Sequence, residues 1–199
     1  VTEKRELHIS GGFGILLGVL LFFDDQNIIP WALLACFLHE MGHVAAIHLL
    51  GGRVQAFRLS VVGAEIVPSR AKIFSYREEL FIAAAGPLVS IAAALLSAFM
   101  ARAGSSWEEG FLFAGLNVIA GLFNLLPAGP LDGGRMVRIW LLHRHSMSEG
   151  EAIYRRFTVC FSMALLFLGI YHMARLGGNL TLLCTGLWLL AGARRGGYD

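Results

Sequence analysis

An apolar run over residues 28–50 is long enough to cross a bilayer as a helix, yet its second half carries His39, Glu40 and His43. This pairing of apolar length with ionisable side chains constrains the fold more than any other stretch. A spanning segment must satisfy its backbone polar groups internally, which makes it a helix. Ionisable side chains at membrane depth are costly, so each demands a partner or a purpose. The three fall in the pattern His39-Glu40-Met41-Gly42-His43. Histidines four apart share one helical face, where both can hold a single zinc ion. The glutamate between them stands off that face and is placed to act as general base on a water at the metal. The alternative is a pair of buried histidines satisfied by hydrogen bonds, but burying Glu40 without a partner would cost several kcal/mol.

The remainder of the chain supports a membrane setting. Of 199 residues, 56% are hydrophobic and only 15% are charged, against about 25% charged in soluble domains. The expected fold is an all-α integral membrane bundle forming one polytopic domain over residues 1–199. The net charge of +2 says little about partners; the lipid bilayer is expected as one, and nucleic acid is not. Cys36, Cys160 and Cys184 lie far apart in apolar stretches with no C-x-x-C, so they read as small buried hydrophobes. No signal peptide with a small-residue cleavage site stands out, and the first apolar segment is expected to stay in place.

Six apolar segments can be drawn, over residues 9–23, 28–50, 80–101, 110–126, 157–174 and 180–193. The first and last are short for a span, and Gly177-Gly178 breaks the last two apart. With the N-terminus cytoplasmic, fourteen of the sixteen basic residues fall inside and only Arg102 and Arg175 outside. The positive-inside rule therefore predicts six spans with both termini cytoplasmic; a bacterial cytoplasmic membrane is the expected setting. A five-span arrangement would put Lys4 and Arg5 outside. Asp24-Asp25 marks a tight external turn. Residues 51–67 are too polar to span and too apolar for a free loop. Phe57, Leu59 and Val61 alternate with Arg58 and Ser60, which reads as a β-hairpin at the membrane surface or, equally, as a packed irregular loop.

A catalytic zinc takes three protein ligands and leaves one position open. His48 points about 140° from His43 on the helix. His8, His143, His145 and His172 lie near interfaces, where a solvated or capping role is expected. Asp132 is the outstanding candidate, within Asn124-Leu125-Leu126-Pro127-Ala128-Gly129-Pro130-Leu131-Asp132-Gly133-Gly134-Arg135. Two prolines and three glycines must break the fourth helix there. Broken backbone at that depth is tolerated only where it is buried or lines a cavity. Asp132 is then either a loop acid before a Gly-Gly turn or a carboxylate held at a cavity mouth. The topology favours the second, since the second and fourth segments run in the same direction.

The paired motifs, His39-Glu40-x-x-His43 and Asn124-x-x-Pro127-x-x-x-Leu131-Asp132-Gly133, resemble those of the site-2 proteases, intramembrane zinc metalloproteases. Phe37 and the Ala85-Gly86-Pro87-x-x-Ser90 element fit the same family, and the resemblance covers residues from about 28 to 140. It implies that His39, His43 and Asp132 bind one Zn2+, that Glu40 activates the water, and that Asn124 stabilises the oxyanion or positions the substrate, with Pro127 beside it. Asn117 is expected to be structural. The implied activity is hydrolysis of peptide bonds in or near transmembrane segments of membrane-tethered regulatory proteins, with separate membrane proteins as regulators. Only 88 residues separate His43 from Asp132, too few for an inserted PDZ domain, and no soluble C-terminal domain is expected after Asp199. The compact layout is similar to the sporulation-type branch, which activates a sigma-factor precursor. Two other readings compete. One is a membrane zincin acting on soluble proteins, for which no later apolar helix supplies a glutamate ligand. The other is a non-catalytic zinc-binding scaffold or transporter, which would string polar groups across several helices rather than cluster them at one depth.

Overall fold

The computed structural model describes residues 6–60, 63–69, 71–104, 107–176 and 180–194. Lys4, Arg5, Arg70, Arg195 and the Gly177-Gly178 break lie outside them. The chain is mostly helical with one small sheet, and it divides into two compact units, Val1–Phe123 and Asn124–Asp199.

The first unit holds strand β1 (Glu6–Ile9), helices α1 (Gly11–Phe22) and α2 (Ile28–Leu49), strands β2 (Val54–Ser60) and β3 (Gly63–Pro68), helix α3 (Tyr76–Ala103) and helix α4 (Trp107–Asn124, whose last residue opens the second unit). The Asp24-Asp25 turn starts α2, because the Asp24 carboxylate accepts the amides of Ile28 and Ile29 at 2.9 and 2.8 Å. A capping box starts α3. Ser75 Oγ accepts the Glu78 amide, and the Glu78 carboxylate accepts the Ser75 amide. Lys72 ties the two helices together: its ammonium donates to the Leu50 carbonyl at the end of α2 and pairs with Glu78 at 2.9 Å.

The expected hairpin is present as β2 paired with β3, with Val61 outside the described residues, and β1 adds a third strand to it. The order is β1-β2-β3, with β1 parallel and β3 antiparallel to the central β2. Period two alone could not reveal that partner, because strand pairing is a tertiary choice. Ile66 and Val54 pack on a core of Ala46, Ile47, Ile82 and Ala85, so the sheet is seated against α2 and α3. The reversal after α2 uses Gly51 at φ +76° and Gly52, whose absent Cβ would lie 2.5 Å from the Phe74 ring. Helix α4 packs through small residues. Ser97 Oγ donates to the Gly110 carbonyl at 2.8 Å, and Gly121 lies over Pro87 and Ser90.

The second unit holds helices α5 (Asp132–Arg144), α6 (Met147–Leu176) and α7 (Thr181–Arg194). Gly169 and Gly186 let α6 and α7 approach side chains Leu183 and Leu166.

Several expectations are corrected. The first apolar segment begins as strand, with its helix starting at Gly11, and the fourth ends as helix at Asn124 rather than at residue 126. Helix α5 stands where a Gly-Gly turn was one reading. The three cysteines are exposed, not buried. Apolar side chains gain little by facing protein rather than lipid, so hydrophobicity does not sort the two sides of a membrane helix. Among the described residues, α2, α3 and α6 are long and apolar enough to cross a membrane, whereas α1 and α7 are apolar but shorter.

Candidate metal centre

The site begins with α2 and α3, which run antiparallel and meet through small residues. A Cβ on Gly42 would lie 2.7 Å from the Ala85 carbonyl oxygen, so the motif's fourth residue must be glycine for the helices to come this close. His39 and His43 are buried at 4% and 7% exposure. His43 Nδ1 lies 2.7 Å from the Ile82 carbonyl oxygen. A carbonyl only accepts, so Nδ1 carries the proton and Nε2 presents its lone pair. His39 Nδ1 lies 3.0 Å from Ser90 Oγ. The two Nε2 atoms face each other at 3.3 Å.

That separation fits zinc. Two imidazole nitrogens at about 2.0–2.1 Å from one tetrahedral ion stand about 3.3–3.4 Å apart. Gly86 provides the space: a Cβ there would come within 2.2 Å of His43 Nε2 and 2.8 Å of His39 Nε2. The Ala85-Gly86-Pro87-x-x-Ser90 element thus acquires a physical content. Gly86 clears the rings, and Ser90, fully buried, meets His39. Glu40 is half-buried beside them on α2. His48 turns back on its own helix, with Nδ1 2.8 Å from the Val44 carbonyl oxygen. Asn117 is fully buried and donates to the Phe113 carbonyl at 2.9 Å.

In the second unit, α4 closes at half-buried Asn124, and residues 125–131 form an irregular connection that contains Pro127. Asp132 begins α5, where the helix N-terminus favours a carboxylate. Gly133 and Gly134 lie inside that first turn. A Cβ on Gly133 would fall 2.1 Å from the Leu125 carbonyl oxygen, and one on Gly134 2.7 Å from the Ala128 carbonyl carbon. The glycines therefore serve close packing of the connection on α5. Gly129 has φ +59°, and its carbonyl accepts the Tyr154 hydroxyl at 2.8 Å. Tyr154 went unnoticed in the sequence. Its only signal is a tyrosine within an apolar helix, whose hydroxyl needs a partner when buried.

The sequence matches the Peptidase M50B-like family over residues 13–129 and Peptidase family M50 over residues 100–165. It is similar to a zinc metalloprotease of Methanocaldococcus jannaschii, 28% identical over 96% of this chain and 56% of the relative. Rip3 of Mycobacterium tuberculosis is 31% identical over 92% of this chain and 48% of its own. Stage IV sporulation protein FB of Bacillus subtilis is 23% identical over 80% of this chain and 56% of its own. The chain spans about half the length of the curated relatives it matches. Its fold matches the solved site-2 protease of M. jannaschii with a TM-score of 0.72 at 22% identity, covering all of this chain and 93% of that one. With a zinc-ready histidine pair in a membrane-length helix and a family match over more than half of its residues, the chain belongs to peptidase family M50, the site-2 proteases.

Proposed function

We propose that this protein is a zinc-dependent intramembrane endopeptidase. The observation that carries the reading is the pair of Nε2 atoms 3.3 Å apart in a helix apolar enough to span, with Glu40 between the two histidines. His39, His43 and Asp132 hold the ion. The donor set supports this, since two ring nitrogens and a carboxylate oxygen make three ligands and leave a fourth position open. When bound, zinc lowers the pKa of water and polarises the scissile carbonyl.

The chain's own groups do the rest. Glu40 takes a proton from the attacking water as the C–O bond forms, then delivers it to the amide nitrogen as the C–N bond breaks. The Asn124 side-chain amide donates to the oxygen that gains charge, and Pro127 lies against the substrate backbone. A transmembrane helix hides its peptide bonds, so the substrate unwinds locally. Strand β3, at the edge of the sheet, offers its outer side to the extended segment.

The topology that suits this chemistry has six spans with both termini cytoplasmic, in a bacterial membrane, and a single catalytic domain over residues 1–199. The substrates are membrane-tethered regulatory proteins, and separate membrane proteins act as regulators. The narrower form is activation of a sigma-factor precursor during sporulation, supported by the similarity to a stage IV sporulation protein.

Glu40→Gln tests the mechanism with a co-expressed tethered substrate. Cleavage should fall by about 10²–10⁴-fold while zinc stays bound, and persistence of cleavage would defeat the protease reading. Asp132→Ala should weaken zinc binding, and unchanged affinity would remove Asp132 from the ligand set. Comparative membrane proteomics of wild type against Glu40→Gln identifies the substrates.

A further inference from the structure

We propose that Ser90 is a positioning residue for the zinc ligand His39, and that Ile82, Gly86 and Ser90 form one stripe of α3 that aims both histidine rings at a single ion. The inference rests on the zinc reading above and names groups that act through the ligands. Ile82, Gly86 and Ser90 are spaced by four, so they share a face of α3. His43 and His39 are also four apart, on the antiparallel α2. The two stripes therefore match one to one: Ile82 meets His43 at 2.7 Å, Ser90 meets His39 at 3.0 Å, and Gly86 sits midway against both Nε2 atoms.

Each ring is thereby held at Nδ1, with its Nε2 turned toward the other ring's Nε2. The two holds differ in kind. The Ile82 carbonyl can only accept, and no side-chain substitution removes it. The Ser90 hydroxyl both accepts and donates. With the ion on Nε2, His39 Nδ1 keeps its proton and donates to Ser90 Oγ. Ser90 has 0% exposure, so bulk water has no route to replace the hydroxyl. Its removal takes an acceptor from a buried N–H and loosens the hold on the ring. Gly86 makes the arrangement intolerant, since any side chain there would occupy the space of the ring nitrogens.

The test uses the whole protein in detergent micelles, with zinc affinity read by competition against a chromophoric chelator. Ser90→Ala should bind zinc about 10–100-fold more weakly. In zinc-loaded protein the His39 Nδ1 proton resonance should move, while that of His43, held by the Ile82 carbonyl, should not. A purely packing role for Ser90 would leave the His39 resonance in place. Ser90→Cys keeps the volume with a weak acceptor and should fall between wild type and alanine; it decides the matter if the alanine variant does not fold. Affinity within twofold of wild type together with an unshifted His39 resonance would overturn the inference. His39→Ala separates the two levels: if it abolishes zinc binding while Ser90→Ala does nothing, only the role of Ser90 fails. If His39→Ala also leaves zinc binding intact, the zinc-hydrolase reading fails with it.

Discussion

The two motif-bearing regions solve the same problem by different means. In the first unit, the histidine pair sits on an unbroken helix and is gripped through ring atoms by a neighbouring helix: Nδ1 to a carbonyl, Nδ1 to a hydroxyl, and a glycine where the rings meet. In the second unit, Asp132 is held by backbone. The chain leaves α4, crosses residues 125–131 and restarts as α5, with Gly133 and Gly134 pressed on the carbonyls of that connection and Tyr154 fastening Gly129. The histidine region is a matter of side-chain complementarity between regular elements. The aspartate region is a matter of where the helix stops. Changes to the first should therefore alter metal binding with the fold intact, and changes to the second should alter stability as well.

The largest effect should come from Gly86→Ala, which places a methyl group 2.2 Å from His43 Nε2. Zinc binding should be lost, by at least about 100-fold, with helicity by circular dichroism unchanged. Retained affinity would mean that the rings do not meet at Gly86. Gly133→Ala comes next. Its Cβ would meet the Leu125 carbonyl oxygen at 2.1 Å, and backbone cannot step aside as a flexible side chain can. Destabilisation of about 3 kcal/mol is expected from overpacking, read as a lower thermal midpoint, and a variant as stable as wild type would refute the tight first turn of α5. Tyr154→Phe removes one hydroxyl and should cost about 1 kcal/mol in the same assay, sharpening how much of the connection's order this bond carries. Arg58→Ala is the expected near-zero. The Arg58–Glu65 pair, 3.5 Å apart and more than half exposed, should contribute under about 0.5 kcal/mol. A larger loss would show that the hairpin sits in a drier environment than its exposure implies.

Much of this was legible in the residues. Three of the six drawn segments correspond to membrane-length helices, α2, α3 and α6, because a helix must be long and apolar to cross a bilayer. His39, Glu40 and His43 stand out because charge is rare there. The break after Asn124 follows from two prolines and three glycines. The β-hairpin was half legible, because alternation of apolar and polar residues is also compatible with a packed loop, and its third strand lies 45 residues or more from its partner. The cysteines were misread because the rule that apolar means buried fails where the surroundings are lipid. Helix α5 was hidden because Gly-Gly ordinarily signals a turn, and here it signals contact.

By itself the sequence determined the chemistry on offer: which side chains can ligate, which can move a proton, and which segments can span. These are local properties of residue type and spacing. Tertiary structure decided what the rings of His39 and His43 touch, why Gly42, Gly86 and Gly133 admit no side chain, and which carbonyl Tyr154 finds. Those are distances between elements far apart in the chain. They arise only when helices pack closely enough for a single methyl group to matter.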